Sequence, residues 1–377
     1  MEAAQLGAPA LPPPIERRML LLSTCEPRAH PSQSALLHVD PAPLRADLLY
    51  ILVNTISVPL MPSIKTELGF TGGTAATIAA SQTAAQMCGK LAWGGWPVDA
   101  LGGTRTYSGT MLTMGVLALC YSLAGSALAI GLLVFAMEFF STSVYACHVQ
   151  IVRGHWAEPV RADGFWLLGV ASRSGDVLSK VTYGMLVQPA GPLPWRRVTF
   201  VGFGFACGAA IVALLWHRDT PSERFVRQRE PLTPAKTARI VRRFFGMRMF
   251  WIASAAVATT TMVKRTNELL IPMYFQRIGM ESGLVDDARA GQLGAAWSAG
   301  VAASVFVGGH FFAKAGAVPG RQSKLMAALL AVSTLSMALL ALLPAHVETE
   351  AGLNVRIALV FTGGTVRAPS LQILSVG

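Results

Sequence analysis

The chain has 377 residues, of which 53% are hydrophobic and only 14% are charged. Soluble domains carry about a quarter charged residues, so this composition indicates an integral membrane protein. A formal net charge of +11 would also suit a nucleic-acid-binding protein. We exclude that class because the basic residues are concentrated in a few loops between apolar stretches, as in membrane proteins.

The residue types that support catalysis do not form a recognisable site. The five cysteines lie far apart and show neither a metal-ligand spacing nor a disulfide framework. The sequence also lacks a phosphate-cradling loop and a catalytic triad. We therefore expect no metal, no cofactor and no enzymatic activity.

Residues 1–46 differ from the rest of the chain in being rich in proline. Their one apolar cluster, Met19–Leu22, is too short to cross a bilayer or to form the core of a signal peptide. We predict that this segment is a disordered cytoplasmic tail.

Ten apolar stretches follow, each near the roughly 20 residues that a bilayer-crossing helix needs. The basic segment 218–248 separates six of them, within 47–217, from four within 249–377. The predicted spans 1–10 are Leu48–Ile64, Thr74–Trp93, Tyr107–Ala124, Leu128–Val149, Gly164–Val187, Val198–Trp216, Met249–Phe275, Gly291–Phe312, Leu325–Leu343 and Asn354–Leu374.

The loop charges predict the orientation of these spans. Between His217 and Arg248 there are nine Lys or Arg residues against three acids, whereas the loop between spans 7 and 8 carries three acids. Loops rich in Lys and Arg stay in the cytoplasm. The N-terminus and the segment 218–248 are therefore predicted to be cytoplasmic.

A short motif lies between spans 2 and 3. Its pattern is G-x3-D-x2-G-G-x-R, formed by Gly95, Asp99, Gly102, Gly103 and Arg105. This motif, in this position, resembles the loop between helices 2 and 3 of the major facilitator superfamily. The resemblance implies an all-α membrane protein with the major facilitator fold, and a loop that acts as a hinge between moving helices. The alternative is an ordinary charged turn, in which Asp99 and Arg105 pair or cap neighbouring helices.

The second half partly repeats the motif, since Gly309, Ala313 and Gly316 have the spacing of Gly95, Asp99 and Gly102. Such an echo is expected of a transporter built from duplicated halves. The resemblance implies twelve helices, so the sequence predicts an incomplete second half, through a fragment, a gene-model error or a departure from the family's helix count.

Span 5 carries three charged residues, Arg173, Asp176 and Lys180, at i, i+3 and i+7. These positions share one helix face, and charged groups inside a membrane span must face the protein interior. Asp176 can pair with both cations, and the face keeps a net charge of +1. We interpret it as either a self-neutralised structural network or the wall of an anion site.

Span 7 contains a second charged cluster, formed by Lys264, Arg265 and Glu268. Pro272 is predicted to break the helix nearby, which is tolerated only beside protein or a water-filled cavity. The segment KRTNELLIPMY resembles helix 7 of the organophosphate:phosphate antiporters. In that branch, a basic residue at the position of Lys264 binds the substrate phosphate.

Three further residues complete the predicted site. By the same resemblance, Asn54 in span 1 occupies the place of a second phosphate-binding arginine, and Lys90 in span 2 that of a common lysine. Glu138, near the middle of span 4, could exchange a coupling proton or pair with a buried cation such as Arg173.

These features predict a secondary transporter in the lipid bilayer that works by alternating access. Arg173, Lys264, Arg265, Lys90 and Asn54 would bind a small organic anion such as a phosphorylated metabolite, and Asp176, Lys180, Glu268 and Glu138 would balance charge or couple transport. The coupling ion would be a proton or a phosphate counter-substrate. The alternatives are transport of a neutral or cationic solute by the same fold, and a non-transporting or truncated membrane protein.

Overall fold

The computed structural model describes residues 42–155, 161–187, 194–216, 238–239, 242–243, 245–279, 282–315, 321–344 and 346–365. Within these ranges the regular structure is entirely α-helical, as predicted. In chain order the principal helices are α1 Ala42–Asn54, α2 Ser57–Leu68, α3 Gly72–Ala92, α4 Trp96–Leu101, α5 Gly103–Ser122, α6 Ala127–His155, α7 Arg161–Leu186, α8 Trp195–Trp216, α9 Arg248–Gly279, α10 Asp287–Leu293, α11 Ala295–Ala315, α12 Arg321–Leu342 and α13 Glu350–Gly364.

Each predicted span corresponds to one helix or to two consecutive helices. Span 1 is divided into α1 and α2, span 8 is divided into α10 and α11, and α4 lies in the loop after span 2. The first described helix begins at Ala42, before the predicted boundary at Asp47. Most of the predicted tail, most of the predicted linker and the last residues of span 10 lie outside the described residues.

The prediction that Pro272 breaks span 7 is wrong, because α9 continues from Arg248 to Gly279. A proline removes one helical hydrogen bond and crowds the preceding turn, but tertiary packing can compensate for both. Here the proline ring packs against Gly294 between α10 and α11, where an added Cβ would lie only 2.6 Å from Pro272 Cγ.

Among the described helices, three stretches are long and apolar enough to cross a bilayer by themselves. They are Leu44–Leu68, Ala127–Arg153 and Trp195–Leu215. Helices such as α7 and α9 carry clusters of charged residues, which lower their apolar character. Such helices are stable in a membrane when their charged side chains face other helices.

The core of the first half forms around α5, which packs along α6 and α8. Tyr107, Met111 and Met114 are fully buried in one continuous cluster with side chains of α1, α6 and α8. At Gly115 an added Cβ would lie 2.9 Å from Ala206 Cβ, so the glycine lets α5 and α8 approach closely.

One end of this half is held together by Arg196, at the start of α8. Its guanidinium lies 2.8 Å from Glu67 Oε1 and donates to the carbonyls of Ser122 at 2.7 Å and Ala124 at 2.9 Å. These bonds join α8 to the ends of α2 and α5. We call this the distal end of the bundle, and the end that carries α4 the loop end.

In the second half, α11 and α13 cross at two glycines. An added Cβ would lie 2.1 Å from Phe361 O at Gly300, and 2.4 Å from Trp297 O at Gly364. Only glycine permits backbones to approach so closely. Arg356 of α13 is buried and donates a hydrogen bond at 2.7 Å to a tyrosine hydroxyl of α9.

The two halves, 42–216 and 248–364, meet in the distal part of the bundle, where α10 packs against α2 and α7. An added Cβ at Gly291 would lie 2.6 Å from Pro59 O, and one at Gly184 would lie 3.1 Å from Gln292 N. Main chains from opposite halves are therefore in contact at these glycines.

At the loop end, the motif between spans 2 and 3 contains the short helix α4. Gly102 connects α4 to α5 with φ 89° and ψ 160°, a conformation that is essentially restricted to glycine. An added Cβ at Gly103 would lie 3.1 Å from Cys147 O, so the start of α5 packs tightly on α6. Asp99 and Arg105 are exposed and do not form an ion pair with each other.

We expect Gly102→Ala to destabilise the protein by about 1–3 kcal/mol, because the alanine Cβ is not compatible with the backbone of Gly102. The measurement is thermal unfolding of the purified protein in detergent. Gly95→Ala is the matched control, because Gly95 has φ −119° and an added Cβ would meet nothing within 4 Å. An equal loss of stability in both variants would contradict the prediction.

Candidate functional site

The division of span 1 into α1 and α2 is explained by Pro59. A proline at this position cannot donate to the carbonyl of Thr55, and its ring crowds that carbonyl. The turn tightens instead, and Val58 N donates to Thr55 O at 3.1 Å. The Thr55 hydroxyl donates to Ile51 O at 2.7 Å and lies 2.7 Å from Ser179 Oγ of α7. The break in span 1 therefore packs on the middle of span 5.

Asn54 is the last residue of α1 and lies at this break. Its side chain is buried, and its Oδ1 atom has no hydrogen-bond partner among the described residues. A buried carbonyl oxygen without a partner is costly, and in native proteins it often marks a site for a ligand or a bound water. Asn54 was predicted from a resemblance alone, and its burial makes it a candidate hydrogen-bonding group for a solute.

The charged face of α7 forms the centre of the site. Lys180 is completely buried, and its Nζ atom lies 3.1 Å from Asp176 Oδ1 and 3.2 Å from Oδ2. The ammonium group also donates a hydrogen bond to the hydroxyl of Ser298 on α11. This hydrogen bond joins the two halves, whereas the ion pair lies within one helix.

The other predicted charges of spans 4 and 5 are arranged differently. Arg173 is half-buried on α7, and no described acidic side chain forms an ion pair with it. Glu138 on α6 is buried and accepts a hydrogen bond from Gln86 Nε2 at 2.7 Å. Of the two alternatives for Glu138, an ion pair with Arg173 is not observed between these described side chains, and exchange of a proton stays a prediction.

The predicted site residues of spans 2 and 7 are located on α3 and α9. Glu268 is buried in α9, and the side chains of Lys264 and Arg265 lie outside the described residues. Lys90 is exposed in the last turn of α3, where a cation also stabilises the helix C-terminus. In the partial repeat of the loop motif, Gly309 and Ala313 lie in α11. The surroundings of these two residues, and Gly316 itself, lie outside the part of the chain that the structure describes.

Sequence reasoning missed a second polar junction between the halves, centred on Gln276 of α9. Its Oε1 accepts from Lys65 Nζ at 3.1 Å, and its Nε2 donates to Asp287 Oδ1 at 2.6 Å and to Thr66 Oγ1 at 3.1 Å. Gln276 is 1% exposed, so this junction at the distal end is formed around a buried amide. A neutral glutamine near the end of an apolar span gave no signal in the sequence.

Two groups of helices are joined by buried polar contacts across their interface, and three described stretches are long and apolar enough to cross a bilayer, as in a multi-pass helical membrane protein. The family model of the Major Facilitator Superfamily matches residues 46–375. The chain belongs to this superfamily of integral membrane transporters. No curated protein sequence matches it.

Solved structures support the same fold. A nucleoside transporter, NupG, is similar with a TM-score of 0.61 and 12% identity, over 89% of this chain and 81% of that one. A bacterial homologue of the human lysosomal transporter Spinster, in an inward-facing conformation, is similar with a TM-score of 0.57 and 14% identity, over 88% of this chain and 73% of that one. The E. coli xylose transporter XylE is similar with a TM-score of 0.55 and 13% identity, over 91% of this chain and 84% of that one.

Proposed function

We propose that the protein is a secondary active transporter that binds a small polar solute between its halves and works by alternating access. The observation that carries this proposal is the completely buried Lys180, which bonds to Ser298 across the interface beside the break in span 1. The buried charge of Lys180 lies within span 5, and the Asn54 oxygen without a hydrogen-bond partner lies within span 1. Such groups inside membrane spans are expected of a solute site near the bilayer midplane.

We further propose that the solute is a small organic anion. On one face of α7 the two cations Arg173 and Lys180 are accompanied by one acid, Asp176, which leaves that face with a net charge of +1. In span 7, likewise, the cluster has two cations, Lys264 and Arg265, and one acid, Glu268. A cation held in a low-dielectric interior attracts carboxylate and phosphate groups strongly. The residues of spans 1, 5 and 7 remain the proposed binding groups.

A neutral polar solute is the second candidate, and the Asp176–Lys180 pair favours it. The ion pair cancels the charge of Lys180 before any solute binds, so this lysine would offer hydrogen bonds more than net charge. The similar structures include a nucleoside transporter and a xylose transporter, whose names describe uncharged solutes.

For orientation, we propose that the N-terminus and the segment 218–248 are cytoplasmic, as the loop charges predict. The distal end would then face away from the cytoplasm, and the contacts of Gln276 would close that side of the transporter. Alternating access would require these contacts to separate in the opposite state. The coupling ion would be a proton or a phosphate counter-substrate.

Uptake by proteoliposomes containing the full-length protein tests the proposal. Labelled phosphate and glycerol phosphate are compared with labelled xylose and a labelled nucleoside. We expect saturable anion uptake whose half-saturation concentration rises about tenfold or more in Lys264→Ala, because a charge-assisted hydrogen bond contributes about 1.5–3 kcal/mol. Lys324→Ala, which removes an exposed lysine of α12, is the control and should leave uptake unchanged.

The other outcomes separate the candidates. Saturable uptake of xylose or the nucleoside without anion uptake would favour the neutral-solute function. An equal effect of Lys264→Ala and Lys324→Ala on anion uptake would remove Lys264 from the site. No saturable uptake of any of the four solutes by folded protein would contradict the proposal as stated.

A further inference from the structure

A buried histidine and a buried aspartate meet near the loop end of the first half, away from the proposed solute site. His148 on α6 and Asp47 on α1 are 4% and 5% exposed, and His148 Nδ1 lies 3.2 Å from Asp47 Oδ1. Asp47 Oδ2 and His148 Nε2 are both buried, and neither has a hydrogen-bond partner among the described residues. The pair therefore retains an unused acceptor on each side chain when the imidazole is neutral.

Two tyrosine rings pack against the imidazole of His148. Tyr107 of α5 lies with its ring centroid 5.4 Å from that of His148, and Tyr50 of α1 makes an edge contact at 6.4 Å. The Tyr107 hydroxyl donates to Ala46 O at 2.6 Å, so it is directed to the main chain of α1. Three helices of the first half thus meet at the pair.

The other described ionisable groups near this site include Tyr50, Tyr107 and Cys147, and the exposed Arg45 of α1 and Arg153 of α6. Cys147 precedes His148 on α6 and is buried. One turn after Asp47 on the same side of α1, Gly175 of α7 packs against Ile51, and Arg173 and Asp176 lie close to Gly175 in the sequence. The acid of that pair already binds Lys180.

The remaining neighbour of α6 is α3, which carries Lys90. Gly89 of α3 packs against Phe139 and Thr142 of α6. Thr142 lies six residues before His148, roughly 9 Å along the helix at 1.5 Å per residue. Lys90 is also exposed. Asp47 is therefore the acidic group positioned to interact with His148.

We propose that Asp47 and His148 form a proton-binding site of the first half, and that its occupancy changes how α1 packs against α5 and α6. With Asp47 ionised, neutral His148 donates its Nδ1 proton to Asp47 and leaves Nε2 as an open acceptor. A proton taken up at Nε2 turns this hydrogen bond into an ion pair in a low-dielectric interior, which strengthens the attraction between α1 and α6. Loss of that proton weakens the attraction again.

Histidine suits this role because it changes charge between about pH 5 and 8, where a transporter operates. The site also lies beside the tight contact between α5 and α6 at Gly103, so a change in α1 packing reaches the loop motif. The proposal does not depend on the solute being an anion. Its test uses no solute, so its failure would leave the uptake experiment unaffected.

The first measurement is the titration of His148 by nuclear magnetic resonance in full-length protein with labelled histidine, reconstituted in lipid nanodiscs. The signal of His148 among the seven histidines is assigned by its loss in His148→Asn. The asparagine amide can still donate to Asp47 but cannot take up a proton. We expect the ring signals of His148 to report uptake of a proton at Nε2 in the wild type, and this response to change in Asp47→Asn because the amide offers the imidazolium no negative charge. A His148 signal that shows no protonation when the pH is lowered from about 8 to 5 would overturn the proposal.

The second measurement is hydrogen exchange of the α1 amides at about pH 5.5 and 8, near the two ends of the range in which histidine titrates, corrected for the intrinsic dependence of exchange on pH. We expect α1 to be better protected at the lower pH in the wild type, and this difference to be lost in His148→Asn. Tyr107→Phe removes the bond to Ala46 but keeps the titrating pair, so it should retain the difference. The same pH-dependent difference in His148→Asn, or none in the wild type, would overturn the proposal.

Discussion

Lys180→Met is expected to lower the free energy of unfolding by about 3–5 kcal/mol, because the substitution leaves the carboxylate of Asp176 buried without its cation. Methionine has a similar length and suits an apolar interior, so the loss of charge and of hydrogen bonds dominates over the change in shape. The bond to Ser298 on the other half is lost at the same time. The measurement is chemical or thermal unfolding of the purified protein in detergent.

A double variant separates the cost of the unpaired charge from other effects. Asp176→Asn alone is expected to be similarly harmful, since it leaves Lys180 buried without an acid. Lys180→Met combined with Asp176→Asn should recover most of the stability, because neither charge is then left alone. Lys324→Met changes an exposed lysine and serves as the control. Additive losses in the double variant would show that the pair is not the source of the effect.

Gly184→Leu is expected to separate the two halves at the distal end. An added Cβ at Gly184 would lie 2.5 Å from Gln292 Cγ and 3.3 Å from Ala288 O, and a leucine extends further. Overpacking costs typically about 1–3 kcal/mol, and here the clash is relieved when the halves move apart. The variant should therefore favour the state in which this interface is open.

A reporter cysteine at Ala288 measures this change, since Ala288 is 1% exposed and faces Gly184. We expect its alkylation by a water-soluble thiol reagent to be at least about tenfold faster in Gly184→Leu, which corresponds to about 1.4 kcal/mol. Gly169→Leu is the matched control, because Gly169 is on the same helix and an added Cβ there meets nothing within 4 Å. Equal alkylation rates in the two variants would argue against this interface as a gate.

Local patterns predicted the helical fold and part of the site. The i, i+4 spacing of Asp176 and Lys180 places them on one helix face whatever the tertiary structure, and they do form an ion pair. The break in span 1 was not predicted, although Pro59 lacks the amide hydrogen that a continuous helix needs. The effect of Pro272 was misjudged because the glycine that accommodates it, Gly294, lies beyond the end of α9 in the chain.

The contacts that could not be predicted join residues far apart in sequence. Asp47 was treated as a boundary of the tail, and His148 as an ordinary residue of span 4, because neither gains meaning until α1 and α6 pack together. Ser298 and Gln276 are uncharged residues within or near the end of apolar spans. Their roles depend on partners in the other half of the molecule, and no local period or motif reports such partners.

The Asp176–Lys180 pair has an electrical consequence. Both charges belong to α7, so they would move together in the proposed separation of the halves, and their sum is zero. Moving one elementary charge across a membrane is worth about 2.3 kcal/mol per 100 mV, but a neutral pair draws no such work from the membrane potential. Breaking the contact with Ser298 transfers no net charge between the halves. Any voltage dependence of the transport cycle must therefore come from the solute, the coupling ion or other charged groups.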